Sequence, residues 1–186
     1  MKRQKRKLTA AALIAVLLAL CVQASLAYYT VRGTATNVVT SGGVQMQIHE
    51  TTDNGKPFPR EGISVIPGDV VTKKVFIENI SGHPFWLRVQ LVWGDNSDRL
   101  VAEDVLQIMD LNETEWIAHE GYYYYHIPLQ PRKPTEPLFE KVHLVCALVD
   151  QYDIGTALTI SVKASAVQSE NNPAANPWEA SGWPAA

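Results

Sequence analysis

Apolar and polar residues alternate with period two along much of this chain. Val44, Met46 and Ile48 share one face of a segment whose other face carries Gln45, Gln47 and His49. Leu87, Val89, Leu91 and Trp93 alternate with Arg88, Gln90 and Val92. Val142, Leu144, Cys146 and Leu148 alternate with Lys141, His143, Val145 and Ala147. The longest run sets Leu158, Ile160, Val162, Ala164 and Ala166 against Thr159, Ser161, Lys163 and Ser165. Successive strand residues point to opposite faces, so these runs predict strands packed on one side, the habit of antiparallel sheets. Residues 70–78 (VVTKKVFIE) are strand-like through their β-branched content, with both faces mixed.

Turn signals divide the runs. Ser41-Gly42-Gly43 predicts a hairpin between a first strand, residues 34–40, and residues 44–50. Pro67-Gly68-Asp69 predicts a tight turn, because proline fixes φ and glycine accepts a positive φ. Ser81-Gly82-His83-Pro84 separates residues 70–80 from 85–93, and residues 130–137 (QPRKPTEP) form a proline-rich loop. Only residues 101–110 carry helical spacing, through Val101, Val105, Ile108 and Met109, with Glu103 and Asp104 near the start. One short helix among about eight strands predicts an all-β fold, an antiparallel β-sandwich of jelly-roll type.

The amino terminus departs from this pattern. Five basic residues lie in the first seven positions, and fifteen uncharged residues follow from Leu8 to Val22. The stretch ends in Ser25-Leu26-Ala27, a small-x-small box. Such a sequence predicts a cleavable secretory signal peptide over residues 1–27, cut between Ala27 and Tyr28 by a signal peptidase. The competing reading is an uncleaved anchor, for which fifteen apolar residues fall short of the ~20 that span a bilayer. The domain would then cover residues 28–168. Residues 169–186 lose all periodicity and predict a loosely ordered tail.

Charge and cysteine usage change with that cut. The 186 residues carry 16 Lys+Arg against 19 Asp+Glu, a net charge of −3. Losing the leader removes five cations and moves the net charge to −8 over 159 residues. An acidic balance argues against nucleic acid as a partner. Of the two cysteines, Cys21 leaves with the leader and Cys146 stays, so no intrachain disulfide can form. Export without disulfides fits a single-membrane bacterium better than a eukaryotic secretory route. A chain of this size can rely on its core, since a ~150-residue domain buries about 68–70% of its unfolded surface. Asn79-Ile80-Ser81 and Asn112-Glu113-Thr114 are sequons that matter only in a host that glycosylates them.

The chain carries few chemical motifs. His49-Glu50 and His119-Glu120 lack the second histidine of a His-Glu-x-x-His metallopeptidase motif, and no Gly-x-Ser-x-Gly elbow occurs. Cys146 falls on an apolar strand face, where inert buried thiols are common. Asp95-Asn96-Ser97-Asp98 lacks the spacing of a calcium loop. These absences lead to an expectation of no catalytic residue, no metal site and no cofactor. Tyr122-Tyr123-Tyr124-Tyr125 stands out. On a strand one alternate pair fills the core, and the other is left for surface or interface contacts.

Several segments, taken in order, carry a resemblance. They are Ala27-Tyr28-Tyr29-Thr30, the Thr/Asn-rich residues 35–43, residues 65–79 (VIPGDVVTKKVFIEN) and residues 85–90 (FWLRVQ). Trp116, residues 121–125 (GYYYY), 137–139 (PLF) and 162–168 (VKASAVQ) complete the series. Over about residues 1–168 the chain resembles the TasA/camelysin family of secreted biofilm-matrix proteins of Gram-positive bacteria. The resemblance implies a jelly-roll-like sandwich, export, and a location in the extracellular matrix or on the cell surface. It also implies assembly into fibres of identical subunits by exchange of an amino-terminal strand, with companion matrix or anchoring proteins as further partners. The candidate donor strand begins at Tyr28, with Tyr29, Val31 and Gly33 on one face. Equally open is that residues 28–40 pair within their own domain. The family also carries a metallopeptidase label, but the metal-binding signature is missing here. The alternatives to a structural subunit are a cell-surface module binding glycan or protein, and a camelysin-like peptidase.

Overall fold

The structure, a computed structural model, describes residues 29–39, 43–95, 105–145 and 157–185. The leader with the Ala27–Tyr28 junction, both cysteines and Asn96–Asp98 lie outside the described residues, as do Ser41 and Gly42 of the expected hairpin turn. Among the described residues there are ten strands: β1 (Tyr29–Val39), β2 (Met46–Thr51), β3 (Ile63–Val65), β4 (Val70–Asn79), β5 (Phe85–Asp95), β6 (Leu106–Met109), β7 (Trp116–His119), β8 (Tyr122–Tyr125), β9 (Phe139–Leu144) and β10 (Ala157–Gln168). They form a six-stranded sheet of order β3-β1-β10-β5-β8-β7 and a four-stranded sheet of order β2-β4-β9-β6. Among these strands all pairings are antiparallel except that β1 runs parallel to β10.

The two inner faces follow the period-two reading. Leu87, Val89 and Leu91 of β5 lie opposite Ala166, Ala164 and Val162 of β10, and all six are buried. From the other sheet, Val75, Ile77, Phe139, Val142 and Leu144 join the same core. Each such side chain stabilises the fold by roughly 1.5–3 kcal/mol relative to exposure. The Pro67-Gly68 turn forms as expected. Gly68 takes φ +95°, Asp69 N–H donates to the Ile66 carbonyl at 3.0 Å, and the Asp69 carboxylate accepts from Ile66 N–H at 2.9 Å. His119 pairs directly with Tyr122, so Glu120 and Gly121 form a two-residue loop with φ +47° and +78°, as a type I′ turn requires.

Two expectations from the sequence are corrected. The helix over residues 101–110 is replaced, in its described part, by β6, and the only helical turn among the described residues is 3-10, Pro177–Glu179. Leu106 and Ile108 also alternate with Gln107 and Met109, and four residues of ladder with β9 settle which period applies. The hairpin between the first two strands does not form. β1 lies in the six-stranded sheet and β2 in the four-stranded one. The pairing of β1 with β10 and of β2 with β4 outweighs the local turn signal.

Residues 169–185, expected to be loosely ordered, lie against the outer face of the six-stranded sheet. Asn172 folds this strap on itself, donating to the Ser181 carbonyl at 2.9 Å and accepting from Ser181 N–H at 2.9 Å. Trp86 of β5 donates its indole N–H to the Asn172 carbonyl at 3.0 Å. Trp86, Val167 and Ala180 form a second small core there, with Ala174 and Trp183 packed on it. Tryptophans carry enough apolar area to order a segment that has no periodicity.

Candidate functional site

Three features qualify as sites: the slot that holds β1, the buried charges beneath it, and the tyrosine face. β1 occupies an interior position. Ten consecutive residues, Thr30 to Val39, pair with β10 from Ala157 to Ala166. On its other side Tyr29, Thr30 and Val31 pair with Val65, Ser64 and Ile63 of β3. Val31 is 1% exposed and belongs to the main core. Tyr29, Val31 and Gly33, expected as one face of a donor strand, are therefore seated within their own domain. Tyr28 lies outside the described residues.

Beneath this slot lies a buried charge. Lys73 of β4 is fully buried. Its Nζ sits 2.9 Å from Glu50 Oε1 on β2, donates to the Ile160 carbonyl of β10 at 3.3 Å, and lies 5.4 Å from the centre of the Phe58 ring. Glu50 Oε1 has no hydrogen bond of good geometry, so the pair is held by charge more than by a directional bond. Burial pushes the Lys73 amine below its ordinary value, while the charge of Glu50 acts in the opposite sense. Period two placed Lys73 with Val75 and Ile77 in the sequence, and that was the available signal. The mixed second face of residues 70–78 obscured it.

The tyrosine run divides as the alternation requires. Tyr125 lies in the main core with Tyr123 packed against it, and its ring tilts onto Trp116 at 5.2 Å. Burial, and then the neighbouring Glu115 charge, push its phenol above the ordinary value. Tyr122 and Tyr124 point outwards; Tyr124 is buried beneath the strap, while Tyr122 stays half-buried. Tyr124 meets Trp183 and Trp178 edge to face at 5.6 and 6.1 Å, and Trp178 stacks on His119 at 4.5 Å. The Arg88 guanidinium lies between Tyr122 at 4.0 Å and Trp183 at 4.9 Å and donates to the Pro184 carbonyl, while its Nε has no partner. Tyr124 and the Arg88 beside Tyr122 thus hold the strap, and Tyr122 keeps part of its surface open.

The histidines take packing roles. His49 pairs with Glu78 at 3.0 Å and stacks on Phe76, His83 pairs with Glu170 at 3.1 Å, and His126 pairs with Glu115 at 3.1 Å. Among the described residues no three His, Cys, Asp or Glu side chains gather as metal ligands. Asn79, half of a sequon, is fully buried. Its amide donates to the carbonyls of His83 and Leu129, both at 2.9 Å, and its oxygen accepts from Ser81 N–H and Oγ–H. Both amide hydrogens are spent, so in the folded chain this asparagine pins loops together.

Compared with family models, curated proteins and solved structures, the chain matches none.

Proposed function

We propose that this protein is a secreted structural subunit of an extracellular matrix fibre or surface layer, assembling by exchange of its amino-terminal strand after removal of the leader. The observation that carries this reading is the seat of β1. It is the first strand of the domain, its one parallel pairing is with the last strand, and it fills an interior position between β10 and β3. A strand so placed makes its main-chain bonds to segments distant in sequence. The same bonds would form with β1 supplied by a neighbouring copy, at little net cost. Donation from one copy to the next is head to tail and does not close, so it builds filaments.

The sandwich supports a jelly-roll reading, because successive strands pass between the sheets from β1 through β6. In this reading the leader blocks the amino end until a signal peptidase frees Tyr28. The protein acts by self-association, with no catalytic residue, metal or cofactor, and nucleic acid is not a partner.

A register-matched cysteine pair tests the proposal. Thr34 faces Ser161 across the β1–β10 ladder. The chain from Tyr28 carrying Thr34→Cys, Ser161→Cys and Cys146→Ser should oxidise to an intrachain disulfide when dilute. After concentration it should give a covalent ladder of oligomers, with filaments visible by electron microscopy. Monomer alone at every concentration would sink the proposal.

A further inference from the structure

The outer face of the six-stranded sheet carries a buried cation without an anion. Arg88 of β5 is 7% exposed, and no carboxylate among the described residues lies within ion-pair distance of it. Its guanidinium has the Pro184 carbonyl and the faces of Tyr122 and Trp183, and its Nε has no partner. The strap over it brings two carboxylates, and both are engaged elsewhere. Glu170 accepts from the Gln168 amide and pairs with His83, and Glu179 accepts from the Asn176 amide and backbone N–H. Buried charges are normally paired, because desolvation without a counter-charge is costly.

Beside Arg88 lies a pocket of about 170 Å³, lined by Arg88, Gln90, Tyr122, Lys163 and Ser165 and walled by Pro184 of the strap. The β5–β10 ladder fixes this set, with Arg88 opposite Ser165 and Gln90 opposite Lys163. Arg88 and Lys163 are diagonal neighbours, a spacing that long side chains bridge. Lys163 is exposed at the rim and likewise has no carboxylate partner among the described residues. Two cations and three neutral hydrogen-bonding side chains therefore share one pocket that no acid lines. We propose that this pocket binds the carboxylate of a small acidic ligand, of the size of a single sugar acid. A guanidinium fork matches a carboxylate in plane, and Lys163 adds a flexible point charge from the rim. Gln90, Ser165 and Tyr122 carry donors and acceptors suited to hydroxyl groups. The volume lies below the roughly 300 Å³ at which drug-sized sites begin, which limits the ligand to one small unit. The bound carboxylate supplies the counter-charge that Arg88 lacks and offsets its repulsion with Lys163. The inference goes beyond the fibre reading and does not depend on strand exchange.

The test titrates the chain from Tyr28 with sodium glucuronate at constant ionic strength, beside glucose and inorganic phosphate. Glucuronate should shift the Arg88 Nε–H resonance saturably in NMR spectra and raise the thermal midpoint, and glucose should do neither. Lys163→Gln, at an exposed position, should keep the fold and weaken glucuronate binding by about threefold, the size of a surface ion pair. Lys163→Glu should abolish the shift. Arg88→Met should abolish binding as well; if it also loosens the strap, the Lys163 variants decide. Glucose acting like glucuronate, or Lys163→Glu binding like wild type, would overturn the inference. So would the absence of a saturable response to glucuronate, or a response to phosphate alone. Filaments are not read in this experiment, so its outcome and that of the fibre reading stay distinct.

Discussion

Replacing Glu50 by alanine should destabilise the fold far more than loss of its own contacts suggests. Lys73 Nζ is fully buried, and Glu50 supplies its only ionic partner among the described residues. Without Glu50 the ammonium keeps the Ile160 carbonyl at 3.3 Å and the Phe58 ring at 5.4 Å. Neither balances a unit charge in a dry interior. Removing one partner of a buried pair costs about 3–5 kcal/mol, a large part of the roughly 5–15 kcal/mol that holds a domain. With a urea slope of about 2 kcal/mol/M, the lower bound moves the midpoint by about 1.5 M. The pH dependence has a definite sign. Burial already holds the folded-state amine below its unfolded value, and Glu50 acts to raise it, so Glu50→Ala lowers it further. Between the folded value and the ordinary lysine value of 10.5 the unfolded chain binds more protons, so stability rises with pH across that window. The variant's deficit should therefore be largest near neutrality and shrink as alkaline pH neutralises the buried amine. Urea titrations of wild type and Glu50→Ala at about pH 7 and pH 9.5 measure both quantities. A midpoint shift under 0.5 M at neutral pH, or a deficit that grows with pH, would refute the reasoning.

Other outcomes follow from the same geometry. Val31→Asp should cost at least about 3 kcal/mol, because a carboxylate replaces a core side chain; hydrogen exchange should show β1 and the adjoining edge of β10 opening first, and unchanged protection there would count against the seating of β1. Trp183→Ala should release the strap by removing the Tyr124 contact and one wall of the Arg88 site, each aromatic pair being worth about 0.5–1.5 kcal/mol beyond area. Faster proteolysis within residues 169–185, with the remaining domain intact, is the expected readout, and an unchanged cleavage rate would contradict it. Glu120→Asn should stabilise the β7–β8 turn by a few tenths of a kcal/mol and Gly121→Val should weaken it by about 1–3 kcal/mol, since both positions need positive φ; thermal midpoints moving in the same direction would show that the turn is not as described.

The alternation of Leu87, Val89 and Leu91, and of Leu158, Ile160 and Val162, determined two central strands and their inward faces, because a half-buried strand enforces period two on its own sequence. Pro67 and Gly68 determined their turn locally, through one fixed φ and one positive φ. The split of Tyr122–Tyr125 into two facing pairs was likewise legible. Pairing was not. Residues 106–109 satisfied a helical and a strand period at once, and the β9 ladder decided between them. The hairpin signal at residues 41–43 yielded to the pairing of β1 with β10 and of β2 with β4 in different sheets. The strap had no period to read, and its order comes from tryptophans meeting Tyr124, His119 and Arg88 across the fold. Lys73 was visible as a residue but not as a buried charge. Its partners Glu50 and Ile160 are separated from it by 23 and 87 positions. Sequence sets which face a side chain takes, through the chemistry of its neighbours along the chain. What stands across from that face is set by long-range closure of the sheets, and here that includes the bed on which the first strand lies.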